Sequence, residues 1–168
     1  DMLAAGHKTF YKQTAKGRQV YDPASGSYVR EPKPESFIVL ADLKRTAKRV
    51  IYQTKGASLV DIGDGIACIE FHSALQPKMN PIDDHIHDVV KKGIEIGERD
   101  FRGLVVHHQG ENFSAGANLL MILEGIDANQ WALIDQVIRE FQGATMGLRR
   151  ARIPVVTAPF GYTFRGGC

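Results

Sequence analysis

The apolar and polar positions fall into a regular order only from Ala57 onward. Residues 58–61 and 66–72 are short β-rich runs on either side of Gly63-Asp64-Gly65, a turn sequence that predicts a hairpin. Asn80 then precedes Pro81, and Ile82, Ile86, Val89, Val90 and Ile94 recur at helical spacing. This predicts a helix over residues 81–98, with Asn80 as its cap and Pro81 in its first turn. Residues 103–107 form a short apolar strand. Ile134, Val137, Ile138, Phe141 and Leu148 make one stripe and predict a second helix from about residue 129, with Trp131 and Phe141 in the core. Arg149, Arg150 and Arg152 suit the C-terminal end of that helix, where cations meet the dipole. Residues 153–158 are the next strand. Strand, strand, helix, strand, helix, strand is the order of a layered α/β fold with crossover helices.

Residues 1–56 read differently, because their apolar residues come in short separated groups. Met2 to Ala5 reads as the end of a helix stopped by Gly6. Gln19 to Val29 reads as a second hairpin around Asp22-Pro23-Ala24-Ser25-Gly26, and Glu31-Pro32-Lys33-Pro34 as a short stiff linker. A short helix is expected over residues 37–47, with Leu40, Leu43 and Ala47 on one side. The expected division is therefore a leader, 1–56, and a structured unit, 57–168.

Charge follows the same division. The leader holds eleven Lys/Arg against five Asp/Glu, and the remainder ten against fourteen, within a net charge of +2. The basic residues of the leader are dispersed rather than interleaved with aromatic platforms, which argues against nucleic acid as a partner. With 43% apolar residues in 168, the chain can bury a core. No run approaches the ~20 apolar residues of a membrane span. Two cysteines give no disulfide framework and suit a reducing, cytoplasmic compartment.

Two glycine-containing segments each follow an apolar strand. Ala115, Gly116 and Ala117 let a ligand approach the main chain, and a turn into a helix leaves N–H groups unpaired. Gly166 and Gly167 offer the same after the later strand. Two such donors converging on one point make an oxyanion hole. The histidines suggest a metal less well, because His85 and His87 lie two apart on a helix and do not share a face. No metal is expected. Glu111 and Glu124 read as solvated charges.

Phe113-Ser114-Ala115-Gly116-Ala117-Asn118-Leu119 resembles the crotonase motif Phe-x-Ala-Gly-Ala-Asp-Leu. The segment from Ile153-Pro154-Val155-Val156 through Gly161-Tyr162 to Gly166-Gly167-Cys168 is similar to that family's later glycine-rich motif, in the same order and separation. Gly6-His7-Lys8-Thr9-Phe10-Tyr11-Lys12, with the hairpin and Lys-rich helix after it, resembles the junction between 3-hydroxyacyl-CoA dehydrogenase and crotonase parts in multifunctional β-oxidation proteins.

The resemblance implies a truncated crotonase-like ββα spiral behind a hairpin-containing leader, with residues 1–56 the tail of an upstream dehydrogenase part. It implies that the N–H groups of Ala117 and Gly166 bind an acyl-CoA thioester oxygen. Ala115, Gly116, Asn118 and Gly167 would line the substrate, with Ala115 beside the adenine. Asn118 stands where the family carries Asp, and Arg165 where it carries a glycine. The family's acids match positions after Cys168, so the 168-residue chain is expected to show no crotonyl-CoA hydration above background. No cofactor is expected in this segment, NAD belonging to the upstream part. Uncovered apolar surface on the second helix and last strand is expected to drive self-association. Other thioester chemistry on the same scaffold, such as hydrolysis or decarboxylation, and a noncatalytic interaction module remain open alternatives.

Overall fold

The hairpin expected over residues 19–29 is present in the computed structural model, which describes residues 2–3, 5–15, 17–31, 37–46, 48–74 and 76–164. It belongs to a three-stranded antiparallel sheet of β1 (Tyr11–Thr14), β2 (Gly17–Asp22) and β3 (Ser27–Arg30), with Tyr21 opposite Tyr28. The turn is built as its residues dictate. The Asp22 carboxylate accepts from the N–H groups of Ala24 and Ser25 at 3.1 Å each, and Gly26 takes φ 65°. Tyr21 is buried, with its ring 5.2 Å from that of His7 and 5.7 Å from that of Tyr28. β1 was not legible, since Tyr-Lys-Gln-Thr carries no alternating apolar set. At the start, Gly6 has φ 81° and donates to the Leu3 carbonyl at 3.0 Å, while His7 donates to Met2 at 3.0 Å. That paired bonding is the pattern of a glycine stop, but residues 2, 3, 5 and 6 form turns and not the expected helix end. Of the stiff linker, residues 32–34 lie outside the described residues.

The chain divides between Ile38 and Val39 rather than between residues 56 and 57. Residues 39–53 supply α1 (Leu40–Lys44) and β4 (Val50–Gln53) to the second unit. Leu40 is buried and its N–H donates to Gln109 Oε1 at 2.7 Å. The helix expected over residues 37–47 is thus one short turn-and-a-half, and Ala47 lies outside the described residues.

The second unit contains a five-stranded sheet in the order β4-β5-β6-β7-β8, where β5 is Ala57–Gly63, β6 Ile66–Phe71, β7 Gly103–His107 and β8 Val155–Thr157. The first three strands are antiparallel, and β6, β7 and β8 run parallel. The β5–β6 turn needs its sequence, since Gly63, Asp64 and Gly65 all have positive φ. Between β6 and β7 comes α2 (Asp84–Asp100), and between β7 and β8 come α3 (Leu119–Asp127) and α4 (Trp131–Arg149). α2 is capped by Asp83, whose side chain accepts from the Ile86 N–H at 3.1 Å, and not by Asn80.

Leu59, Ile69, Ile86, Val89 and Leu104 are fully buried between α2 and the sheet. Burying each contributes about 1.5–3 kcal/mol. α2 sits this close because Gly93 and Gly97 face the sheet. A Cβ there would lie 2.8 Å from Ile69 Cδ1 and 2.9 Å from Leu104 Cδ2. Arg152 ties the approach to β8 onto α2 through Glu98, its backbone N–H and its guanidinium both bonded to that carboxylate.

The far side of the unit is less covered. α4 has no buried residue, and Trp131, expected in the core, is 59% exposed. Leu120, Leu123, Ile138 and Val156 are exposed too, so the expected uncovered apolar surface is present. Among the described residues no helix is long and apolar enough to cross a membrane.

Candidate functional site

At the carboxyl ends of the parallel strands, the segment 113–118 is held from below by a loop that precedes α2. Its anchor is Asn80, fully buried with φ 49°. The Asn80 side chain accepts from the Ser73 N–H at 2.8 Å and donates to the Phe113 carbonyl at 2.9 Å. Its own carbonyl accepts from Ser114 Oγ at 3.0 Å, and that hydroxyl oxygen accepts from the Gly116 N–H at 3.0 Å. Ala115 donates its N–H to Met79 at 2.8 Å, and the Gly116 carbonyl accepts from Ile82 at 2.9 Å. Asn is suited to position 80 because it tolerates positive φ and carries one donor and one acceptor.

This bonding consumes the N–H groups of residues 113–116 and stops there. Gly116 has φ 82°, which re-aims the chain before Ala117. Among the described residues, nothing accepts a hydrogen bond from the N–H of Ala117. Asn118 follows as the residue before α3 and makes no side-chain capping bond, so the first turn of α3 is also without a side-chain acceptor from its cap.

The second segment lies alongside. Phe113 donates to the carbonyls of Phe160 and Tyr162 at 3.0 and 3.1 Å, and Phe164 donates to Ser114 at 3.0 Å. Ser114 and Thr163 form a parallel bridge. Gly166 and Gly167 lie outside the described residues, as do Arg165 and Cys168. The structure therefore places Ala115, Gly116, Ala117 and Asn118 in one short arc.

Beneath the arc is an apolar cavity of about 270 Å³ between α2, α4 and the sheet, bounded by Phe71, Ile82, Ile86, Val90, Phe113 and Phe141 among others. Ile82, which is bridged to Ala117, connects arc and cavity. His87 also lines it, edge-on to the Phe141 ring at 5.6 Å. Burial holds the His87 imidazole below the usual histidine range, against the opposing pull of Asp84, Glu140 and Asp83. His108, stacked on Phe160, is likewise lowered by burial, Glu70 opposing. Glu111, read as a solvated charge, is exposed and lies 3.6 Å from Lys78. Nothing in the sequence marks Met79, Asn80 and Ile82 as parts of this site; the one signal there, an asparagine before proline, has the pattern of a helix cap.

An enoyl-CoA hydratase of Bacillus halodurans superposes on 66% of the chain with a TM-score of 0.59 at 16% identity, the chain covering 44% of it. The second unit has a crotonase-like fold. The crotonase-like fold expected from the two glycine motifs is thereby present. By sequence the chain is 42% identical over 167 residues to a probable 3-hydroxyacyl-CoA dehydrogenase of Bacillus subtilis, covering 99% of the chain and 20% of the relative. It is 22% identical over 120 residues to a putative fatty acid oxidation complex trifunctional enzyme of Rickettsia felis, covering 71% of the chain and 16% of that relative. The chain thus spans a fifth or less of these two relatives. No protein-family model matches it.

Proposed function

We propose that this crotonase-like segment holds the acyl thioester of a coenzyme A substrate within a protein of fatty-acid β-oxidation. The observation that carries this reading is the unpaired N–H of Ala117, turned out by Gly116 at the start of α3. A thioester carbonyl placed there accepts from that N–H and from the positive end of the helix. When the α,β-bond reacts, charge accumulates on that oxygen, and fixed donors stabilise it more than they stabilise the neutral ground state. The second donor on this reading is Gly166. Ser114 pairs with Thr163, and Ala117 and Gly166 each lie three residues further along. The 270 Å³ apolar cavity next to Ile82 suits the acyl chain. The reading assigns binding and polarisation, not proton transfer, to these residues. NAD chemistry, where the parent protein has it, belongs to another part of that protein.

The test is calorimetric titration with butyryl-CoA and with free coenzyme A, joined to infrared measurement of the bound thioester carbonyl. The thioester is expected to bind more tightly than coenzyme A, with its carbonyl stretch moved to lower frequency. Ala117→Pro removes the N–H and should abolish both effects while the circular dichroism spectrum is kept. Equal affinity for the two ligands and an unshifted carbonyl would refute the reading.

A further inference from the structure

His87 does not share a face of α2 with His85, two residues away, and the structure gives it other neighbours. Asp84 lies one turn earlier on the same face of α2. Glu140 comes across from α4. One ligand atom from each of Asp84, His87 and Glu140 lies within 4.8 Å of the other two. The helices meet closely because Gly147 of α4 faces α2, where a Cβ would lie 2.9 Å from Ile94 Cδ1. The three residues line a cleft of about 550 Å³ that is distinct from the arc at Ala117.

His87 supplies a second, independent observation. Both of its ring nitrogens are buried, and among the described residues neither has a hydrogen-bond partner. An unsatisfied buried polar group is destabilising and uncommon in native structures, so such a ring calls for an explanation. A cation would satisfy one nitrogen and neutralise two carboxylates together.

We propose that Asp84, His87 and Glu140 bind a divalent transition cation of the zinc or cobalt type, bridging α2 and α4. One imidazole with two carboxylates is a borderline donor set that suits these ions better than calcium or magnesium. Three protein ligands leave a fourth position for water. Tetrahedral ligands ~2.1 Å from a metal lie roughly 3.4 Å apart, so the three ligand atoms, now within 4.8 Å of one another, would draw closer by up to about 1.4 Å around an ion. Asp84 and Glu140 are exposed, which gives the ion a route from solvent. The lining residues Asp88 and Lys91 do not complete the set. The Asp88 carboxylate accepts from Tyr52 Oη at 2.6 Å, and Lys91 is a cation. Glu140 also accepts from Gln136 at 2.8 Å, which steadies it on the exposed face of α4.

The experiment is titration of the tag-free 168-residue chain with Zn²⁺ by calorimetry and with Co²⁺ by visible absorption, near neutral pH. One equivalent should bind, with a ligand-field band on cobalt and a rise in melting temperature on zinc. Glu140→Gln and His87→Gln should each weaken binding about tenfold or more. His85→Gln, on the same helix but outside the cluster, should bind as the parent does. Glu140 is exposed, so its variant tests the site even where His87→Gln disturbs packing. Absence of stoichiometric binding in the parent, or affinity unchanged in both cluster variants, or an equal loss in His85→Gln, overturns the proposal. None of these readouts involves coenzyme A.

Discussion

Replacing Asn80 by alanine removes a side chain that does three things in a fully buried position. It accepts from the Ser73 N–H, donates to the Phe113 carbonyl and makes φ 49° tolerable. Alanine leaves one backbone donor and one backbone acceptor buried without partners, at about 1–3 kcal/mol each. Positive φ adds roughly 1 kcal/mol for a residue with a Cβ and no compensating side chain. The expected loss is about 3–7 kcal/mol, a large share of the 5–15 kcal/mol typical of a domain. Urea unfolding followed by fluorescence and circular dichroism would read it as a fall in midpoint at unchanged slope. Asn80→Gly removes both hydrogen bonds but not the tolerance for positive φ, so it should recover about 1 kcal/mol relative to alanine. A loss within about 0.5 kcal/mol for Asn80→Ala would show that the arc is held by something other than Asn80.

Two further outcomes follow from buried groups. His87 and His108 are both held below the usual histidine range by burial, so the folded state prefers them neutral while the unfolded state protonates near 6.5. Their contribution is fully present above about pH 6.5 and is lost as pH falls through their lower folded values. Urea midpoints measured from pH 8 to pH 5 should therefore decline on the acid side, and His108→Phe should flatten part of that decline; an identical pH dependence in the variant refutes the assignment. Cys68 is 2% exposed, and burial, with Glu70 adding, pushes its thiol up to about 12. In a Cys168→Ser chain, Ellman's reagent at pH 8 should label Cys68 only on unfolding, and rapid labelling of the native protein would contradict the packing around β6.

What was legible in the sequence had local causes. The β5–β6 turn carries three consecutive positive-φ positions in Gly-Asp-Gly, and α2 carries its apolar face at unbroken spacing, so both declare themselves within a dozen residues. β4 does not, because Val50, Ile51 and Tyr52 become a strand by pairing with β5 and not through any pattern of their own. α3 was hidden for a different reason: nine residues with Leu119, Leu120, Leu123 and Ile126 exposed show no clear buried face. At the site, the glycine motif marked the arc from Ala115 to Asn118. The groups that set its shape, Met79, Asn80 and Ile82, lie more than thirty residues earlier, and only the parallel crossover brings them underneath.

That division of labour bears on Asn118. A carboxylate in this position would place a charge at the start of α3, and exposed charges there stabilise a helix by about 0.3–1 kcal/mol. The amide gives up that contribution, and Asn118 makes no capping bond in its place. Yet neither loss touches the N–H of Ala117, because its direction is fixed by Gly116 and by the bonds that Asn80, Met79 and Ile82 make to the preceding residues. The direction of a main-chain N–H is insensitive to the side chain next to it and sensitive to the buried residues that aim it, whereas the field around it responds to a neighbouring charge. The positive end of α3 is also left without an adjacent carboxylate, so its field remains available to an oxygen that gains charge. On this argument Asn118→Asp should raise stability slightly and weaken polarisation of a bound thioester carbonyl, two effects of opposite sign that a purely structural role for Asn118 would not produce.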